Sequence, residues 1–230
     1  MDKTNFKSHL GIAIILGSLW GFAEVALGLG LRSCAALVSG SLMTGVALFF
    51  ICAGWVSTRR FIVPVLIVII TCLFKLFDAY LLQYPIIHGA IANPMFAFLM
   101  EGFAFILLIA LIGYHRWQKK IARILLGAGA ALIAVSLFPL VKFATGIPAC
   151  VYPGTTIPLS IFFAPVAIVF SAITVPLGFV AGEKISSSAD NIEIALRSRL
   201  IRQMVTPVTL LLCLALVVVI RLITSTSLPA

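Results

Sequence analysis

The chain has 230 residues and a net charge of +9, yet 62% of it is hydrophobic and only 10% charged. A water-facing globule carries roughly a quarter of its residues as charges, so this composition excludes an ordinary soluble domain. The excess of basic residues needs no nucleic-acid partner, because basic loops anchor to anionic lipid for the same electrostatic reason.

Apolar runs of about 20 residues cross a hydrocarbon core of roughly 30 Å. Backbone groups inside lipid must be satisfied within their own segment, and these runs do not alternate as strands would, so the segments are predicted to be helices. The expected fold is all-α: a polytopic transmembrane bundle of about seven spans, forming one membrane domain over residues 1–230.

The first span is predicted at about 9–31, after Lys3 and Lys7. It is too long for the core of a signal peptide and no convincing cleavage site follows, so it reads as a retained helix. Ala13, Gly17 and Gly21 recur every four residues, and Gly17 to Gly21 is a G-x-x-x-G pattern that lets another helix approach closely. That stripe either packs within this bundle or docks on a separate membrane subunit. Glu24 follows one turn after Trp20 on the same face.

The second span, about 35–57, ends at Arg59-Arg60, and the third, about 61–83, contains Lys75 and Asp78 at i,i+3. The connection from Gln83 to Pro94 is short, uncharged and apolar, and is expected to fold back over a cavity, with His88 as a candidate ligand contact. Asn93 and Pro94 are predicted to cap and open the fourth helix, about 94–114, which carries Glu101.

A polar, basic run from His115 to Lys120 precedes the fifth span, about 121–143, where Lys142 is read as snorkelling to the interface. A proline-rich connection around Thr145 to Pro158 offers the hydroxyls of Tyr152, Thr155 and Thr156. The sixth span is predicted at about 157–181. Next comes a polar stretch, with Ile192, Leu196 and Leu200 spaced by four and Arg197, Arg199 and Arg202 among them. It is expected to form a short amphipathic helix near 190–203 on the membrane surface, or to dock a cytoplasmic partner. The seventh span is predicted at about 205–225.

Charge orients the bundle. With the N-terminus cytoplasmic, Lys3, Lys7, Arg59, Arg60, Arg116, Lys119, Lys120, Arg123, Lys184, Arg197, Arg199 and Arg202 all lie on the inner side, as the positive-inside rule requires. Cys52, Cys72 and Cys213 fall within spans and read as small core residues, whereas Cys34 and Cys150 fall near the outer face, as a disulfide or as free thiols. The sequence contains no Cys-x-x-Cys, His-Glu-x-x-His or phosphate-loop motif.

Ionisable residues within hydrocarbon are expensive and usually face one another or a cavity. Glu24, Lys75, Asp78, Glu101 and Lys142 all fall between mid-membrane and the outer face when counted at 1.5 Å per residue. The expected site is therefore a polar chamber toward the outside, with Glu24, Lys75, Asp78, Glu101 and His88 as candidate binding residues for a small solute or metal ion. No catalytic residue and no cofactor are assigned.

A small, very hydrophobic chain with a small-residue stripe in its first helix and a capped outward chamber resembles the substrate-binding S components of energy-coupling factor transporters. The likeness covers about the first 180 residues at the level of architecture, and seven spans exceed the six usual for that family. It implies capture of a vitamin or metal ion, a transmembrane coupling subunit with ATPases that contacts Ala13, Gly17 and Gly21, and a bacterial cytoplasmic (inner) membrane. The alternatives are a membrane-embedded enzyme or redox subunit using Glu24 and Glu101 with a metal, quinone or proton, and a structural or assembly subunit.

Overall fold

The computed structural model describes residues 3–34, 38–113, 116–117, 119–195 and 199–226, with side chains over 8–28, 38–113, 116–117, 119–187 and 204–224. Among these, the helices are α1 (Lys3–Cys34), α2 (Ser39–Thr58), α3 (Ile62–Leu81), α4 (Gly89–Ile112), α5 (Lys120–Leu137), α6 (Val141–Thr145), α7 (Leu159–Phe162), α8 (Ala164–Ala195) and α9 (Arg199–Thr226). A 3-10 turn at Phe138–Leu140 joins α5 to α6, so that one apolar stretch runs from Lys120 to Thr145. Seven helices are long and apolar enough to cross a membrane, and the protein is an all-α polytopic bundle.

The outer surface supports the same conclusion. Leu73, Phe103, Leu125, Val169 and Leu211 are more than half exposed on the flanks of their helices. Exposed apolar area on this scale is stable against lipid and unstable against water.

Small residues set the helix neighbours. α2 is the hub: it touches α1, α3, α4, α5 and α8, and 67% of its length is buried. Gly178 of α8 brings that helix so near that an added Cβ would lie 2.8 Å from the Phe49 carbonyl oxygen. Thr174 reinforces the crossing by donating to the Gly45 carbonyl at 2.7 Å. α5 packs on the other side of α8, where Gly127 lies over the Ser171 carbonyl. Trp55 sits among Phe105 and Phe179 in edge-to-face contacts, filling the centre with aromatic area.

The small-residue stripe of α1 faces α3. A Cβ on Gly17 would come 2.8 Å from Ile70 Cβ, and one on Gly21 would come 2.5 Å from Phe74. Thr71 donates across the same crossing to the Gly17 carbonyl at 3.3 Å, and Ala13 is fully buried. The expectation that Ala13, Gly17 and Gly21 present a surface to a coupling subunit is therefore corrected. α3 already covers the glycines, because a groove without side chains is filled by the first helix that fits it.

The start of α4 also differs from expectation. Its N-cap is His88, whose Nδ1 accepts from the Ala90 amide at 3.2 Å, and Pro94 lies inside the helix. An imidazole nitrogen serves as the capping acceptor in place of Asn93, and the helix gains more than one turn ahead of the proline. The 190–203 stretch is divided between the end of α8 and the beginning of α9, and its side chains fall outside the described residues. Cys150 is a free thiol, while the side chain of Cys34 also lies outside the described residues.

Candidate functional site

Four helices carry ionisable residues between the middle of the bundle, where Glu101 lies halfway along α4, and the end opposite the basic loops. On α3 the face toward the interior is Thr71, Phe74, Lys75 and Asp78, which is the i, i+3, i+4, i+7 pattern of one helical stripe. On α9 the buried stripe is Cys213, Val217 and Arg221, spaced by four. Because both helices run toward the same end, their terminal polar residues reach the same depth.

There Asp78, fully buried, is gripped by Arg221. Nε donates to Oδ1 at 2.6 Å and Nη2 to Oδ2 at 2.8 Å. Lys75 approaches the same carboxylate, its Nζ 3.5 Å from Oδ2. A fork-on-fork guanidinium–carboxylate pair satisfies both oxygens at once and is among the strongest hydrogen-bonded arrangements available to side chains. Lys75 and Arg221 are themselves below a tenth exposed.

Glu24 and Glu101 stand apart from this pairing. Glu24, on α1, is within electrostatic range of both Lys75 and Asp78, but its Oε2 is buried without a hydrogen-bond partner among the described residues. Glu101, on α4 and 4% exposed, meets the hydroxyl of Thr44 from α2, while its Oε2 also has no partner among the described residues. Glu24 also lies within electrostatic range of Glu101. A buried oxygen left unsatisfied costs on the order of 1–3 kcal/mol, so two in one cluster are a notable concentration of unfulfilled acceptor capacity. With all five groups ionised, the cluster carries one negative charge in excess.

The expected members separate as follows. Glu24, Lys75, Asp78 and Glu101 come together. His88 does not join them: it is exposed, caps α4, and stacks on Tyr84 with ring centroids 4.5 Å apart. Residues 83–88 are all exposed. In the other connection on this side, Tyr152 stacks on Phe162 at 3.8 Å and Thr155 donates to the Tyr152 carbonyl, so those groups stabilise their own turn. Lys142 is exposed.

Sequence reasoning missed Arg221 and Thr44. In the sequence Arg221 falls at the outer face, apart from the charges placed within spans. The signal that could have found it is depth, since it lies as far from the end of α9 as Asp78 does from the end of α3, within two residues. Thr44 gave no signal, because a single threonine in an apolar helix commonly returns its hydroxyl to the backbone. Among the described residues no group of three metal-ligating side chains gathers anywhere.

Comparison of the chain with protein-family models, with curated proteins and with solved structures finds no match.

Proposed function

We propose that this integral membrane protein is a transport component that binds a small cationic solute at the acidic cluster of Glu24, Asp78 and Glu101. One observation carries the reading: Glu24 and Glu101 each hold a buried carboxylate oxygen without a partner among the described residues, at a depth where such groups persist mainly for function. Asp78 is already neutralised by Arg221 and Lys75, so the capacity to take up positive charge rests on the two glutamates. The positive-inside orientation makes the cluster's end the outer one, and the solute arrives from that side.

An S-component-like role in a bacterial cytoplasmic membrane remains a proposal within this one. Its coupling subunit would have to dock on a surface other than Gly17 and Gly21. For the Asp78–Arg221 pair taken alone, the bidentate geometry favours a second role, fixing α9 to the bundle.

The test is cation binding to the purified full chain, measured by titration calorimetry with methylammonium and with Co²⁺ as probes. Glu24→Gln should weaken whichever probe binds by at least about tenfold, since an ionic hydrogen bond contributes roughly 1.5–3 kcal/mol. Binding of neither probe, or equal affinity in the variant, overturns the proposal.

A further inference from the structure

The inner end of the bundle, away from the acidic cluster, holds a groove between α4 and α5. The two helices meet at Gly129, where an added Cβ would lie 3.3 Å from Leu108 Cδ1. α4 ends at Gly113, whose φ of +76° turns the chain out of the helix. Between the meeting point and the turn that follows, the helices leave a cavity of about 210 Å³. Leu108 and Ile112 line it from α4, Leu125 and Gly129 from α5, and Arg116 and Trp117 from the connection. Leu125 is 63% exposed and Ile112 37%, so the groove opens on the flank of the bundle, where lipid lies.

Size and depth match a hydrocarbon chain. The volume falls below the roughly 300–1,000 Å³ of sites that enclose a whole small molecule. From Lys120, the first residue of α5, nine residues lead to Gly129. At 1.5 Å each that is about 14 Å, close to half of the roughly 30 Å hydrocarbon core. The groove therefore spans one leaflet.

Charge identifies the head of the occupant. Arg116, Lys119 and Lys120 are exposed at the inner mouth, and no ion pair among the described residues includes them. Glu183, an acid on the same inner side, is already held by Arg123 at 2.7 Å. Arg123 also donates from Nε to the Trp117 carbonyl at 3.1 Å, which fixes the turn that carries Arg116. Trp117 is 3% exposed, and its Nε1 is buried without a hydrogen-bond partner among the described residues, an unused donor beside the groove. A basic mouth above an apolar slot between helices on the cytoplasmic side is the chemistry that selects an anionic headgroup.

We infer that the α4–α5 groove binds one anionic phospholipid of the inner leaflet. An acyl chain lies along Leu108, Ile112 and Leu125, and the phosphate meets Arg116 and Lys119. A zwitterionic lipid would bring a further cation to this mouth, and an apolar peptide would leave its charges unpaired. The site uses none of the residues of the cation-binding role proposed above and stands or falls apart from it.

Native mass spectrometry of the full chain in detergent, with equimolar palmitoyl-oleoyl phosphatidylglycerol and phosphatidylcholine as probes, tests this. One phosphatidylglycerol should be retained, at least tenfold over phosphatidylcholine. Arg116→Gln/Lys119→Gln should lower that preference at least tenfold, since each basic group near anionic lipid contributes about fivefold. Leu125→Trp, which fills the groove from its exposed rim, should reduce retention of both lipids. Arg60→Gln/Lys184→Gln removes two exposed basic residues elsewhere on the inner side and should leave the preference intact. These positions are exposed, so every variant should unfold near the wild-type temperature. Retention of neither lipid, or of both equally, by the wild type overturns the site. So does an unchanged preference in Arg116→Gln/Lys119→Gln, or an equal loss in Arg60→Gln/Lys184→Gln, which would mean general attraction to a basic surface. Displacement of the lipid by millimolar inorganic phosphate would show an anion patch with no role for the groove, and would overturn it as well.

Discussion

Arg221 and Asp78 lie 143 residues apart in sequence and are joined by two hydrogen bonds, of 2.6 and 2.8 Å, inside the bundle. α9 otherwise leans lightly on its neighbours: only 11% of its span is buried, against α1 and α3. An apolar helix with so little interface can rotate or slide in lipid at small cost. The guanidinium fixes both its rotation and its depth.

Replacing Arg221 by Met should therefore destabilise the protein by about 3 kcal/mol, the lower end of the range for breaking a buried pair, because Lys75 remains near Asp78. The double variant Asp78→Leu/Arg221→Met should recover most of that loss, since it removes the stranded charge as well. Thermal unfolding of the single and double variants checks this. A double variant no more stable than Arg221→Met would mean that the pair contributes favourable energy of its own.

Gly17→Leu and Gly21→Leu should each disrupt the isolated protein, seen as loss of a monodisperse peak and a lower unfolding temperature. The first collides with Ile70 and the second with Phe74, and overpacking of this kind costs about 1–3 kcal/mol or more. Gly28→Leu is the control, because a Cβ there meets no described residue within 4 Å. Normal stability of both variants would release the stripe for a partner after all.

The spans were legible in the sequence because the bilayer imposes their length: all seven predicted segments overlap helices of the required apolarity. The Lys75–Asp78 pair was legible too, since i,i+3 spacing is local. What sequence spacing does not encode is which helix lies beside which. Gly17 and Gly21 advertised a close approach without naming α3 as the partner, and Arg221 advertised a charge without naming Asp78. At the start of α4 the misreading was local. Asn93-Pro94 has the composition of a helix start, but His88 supplied the cap one turn and more earlier.

The orientation follows from the basic loops and can be checked independently. Reporter fusions after Thr58, Gln118 and Ser187 should read cytoplasmic, and fusions after Ala90 and Gly154 external. A cytoplasmic reading at Ala90 would turn the acidic cluster toward the interior of the cell and reverse the direction from which a solute reaches Glu24.

The ion pair between Arg123 and Glu183 provides a contrast in magnitude. Its 2.7 Å distance is as short as those at Asp78, but the Glu183 side chain is 47% exposed. Solvent screening and side-chain entropy reduce such a pair to about 0–1 kcal/mol, so Glu183→Gln should shift unfolding little compared with Arg221→Met. Comparable losses in the two variants would show that burial is not what distinguishes them.

The remaining prediction concerns the coupling between Glu24 and Glu101. As carboxylates they repel, and Glu101 has no described cation to offset that repulsion. Glu101→Gln removes the repulsion and keeps an amide oxygen that can accept from the Thr44 hydroxyl. Without ligand, it should leave stability unchanged or raise it by up to about 1 kcal/mol, the scale of one net hydrogen bond. Glu24→Gln loses attraction to Lys75 as well as repulsion from Asp78 and Glu101, so its own effect is a near balance. In a double-mutant cycle the second substitution should then gain less than the first, because the repulsion can be removed only once. Unfolding temperatures of the wild type, both single variants and the double variant, measured in one detergent, give the coupling and its sign. Additive effects would mean that the two acids do not sense each other. A Glu101→Gln variant destabilised by several kcal/mol would mean that Glu101 holds the fold together through a cationic partner, and a bound solute would no longer be needed to explain its burial.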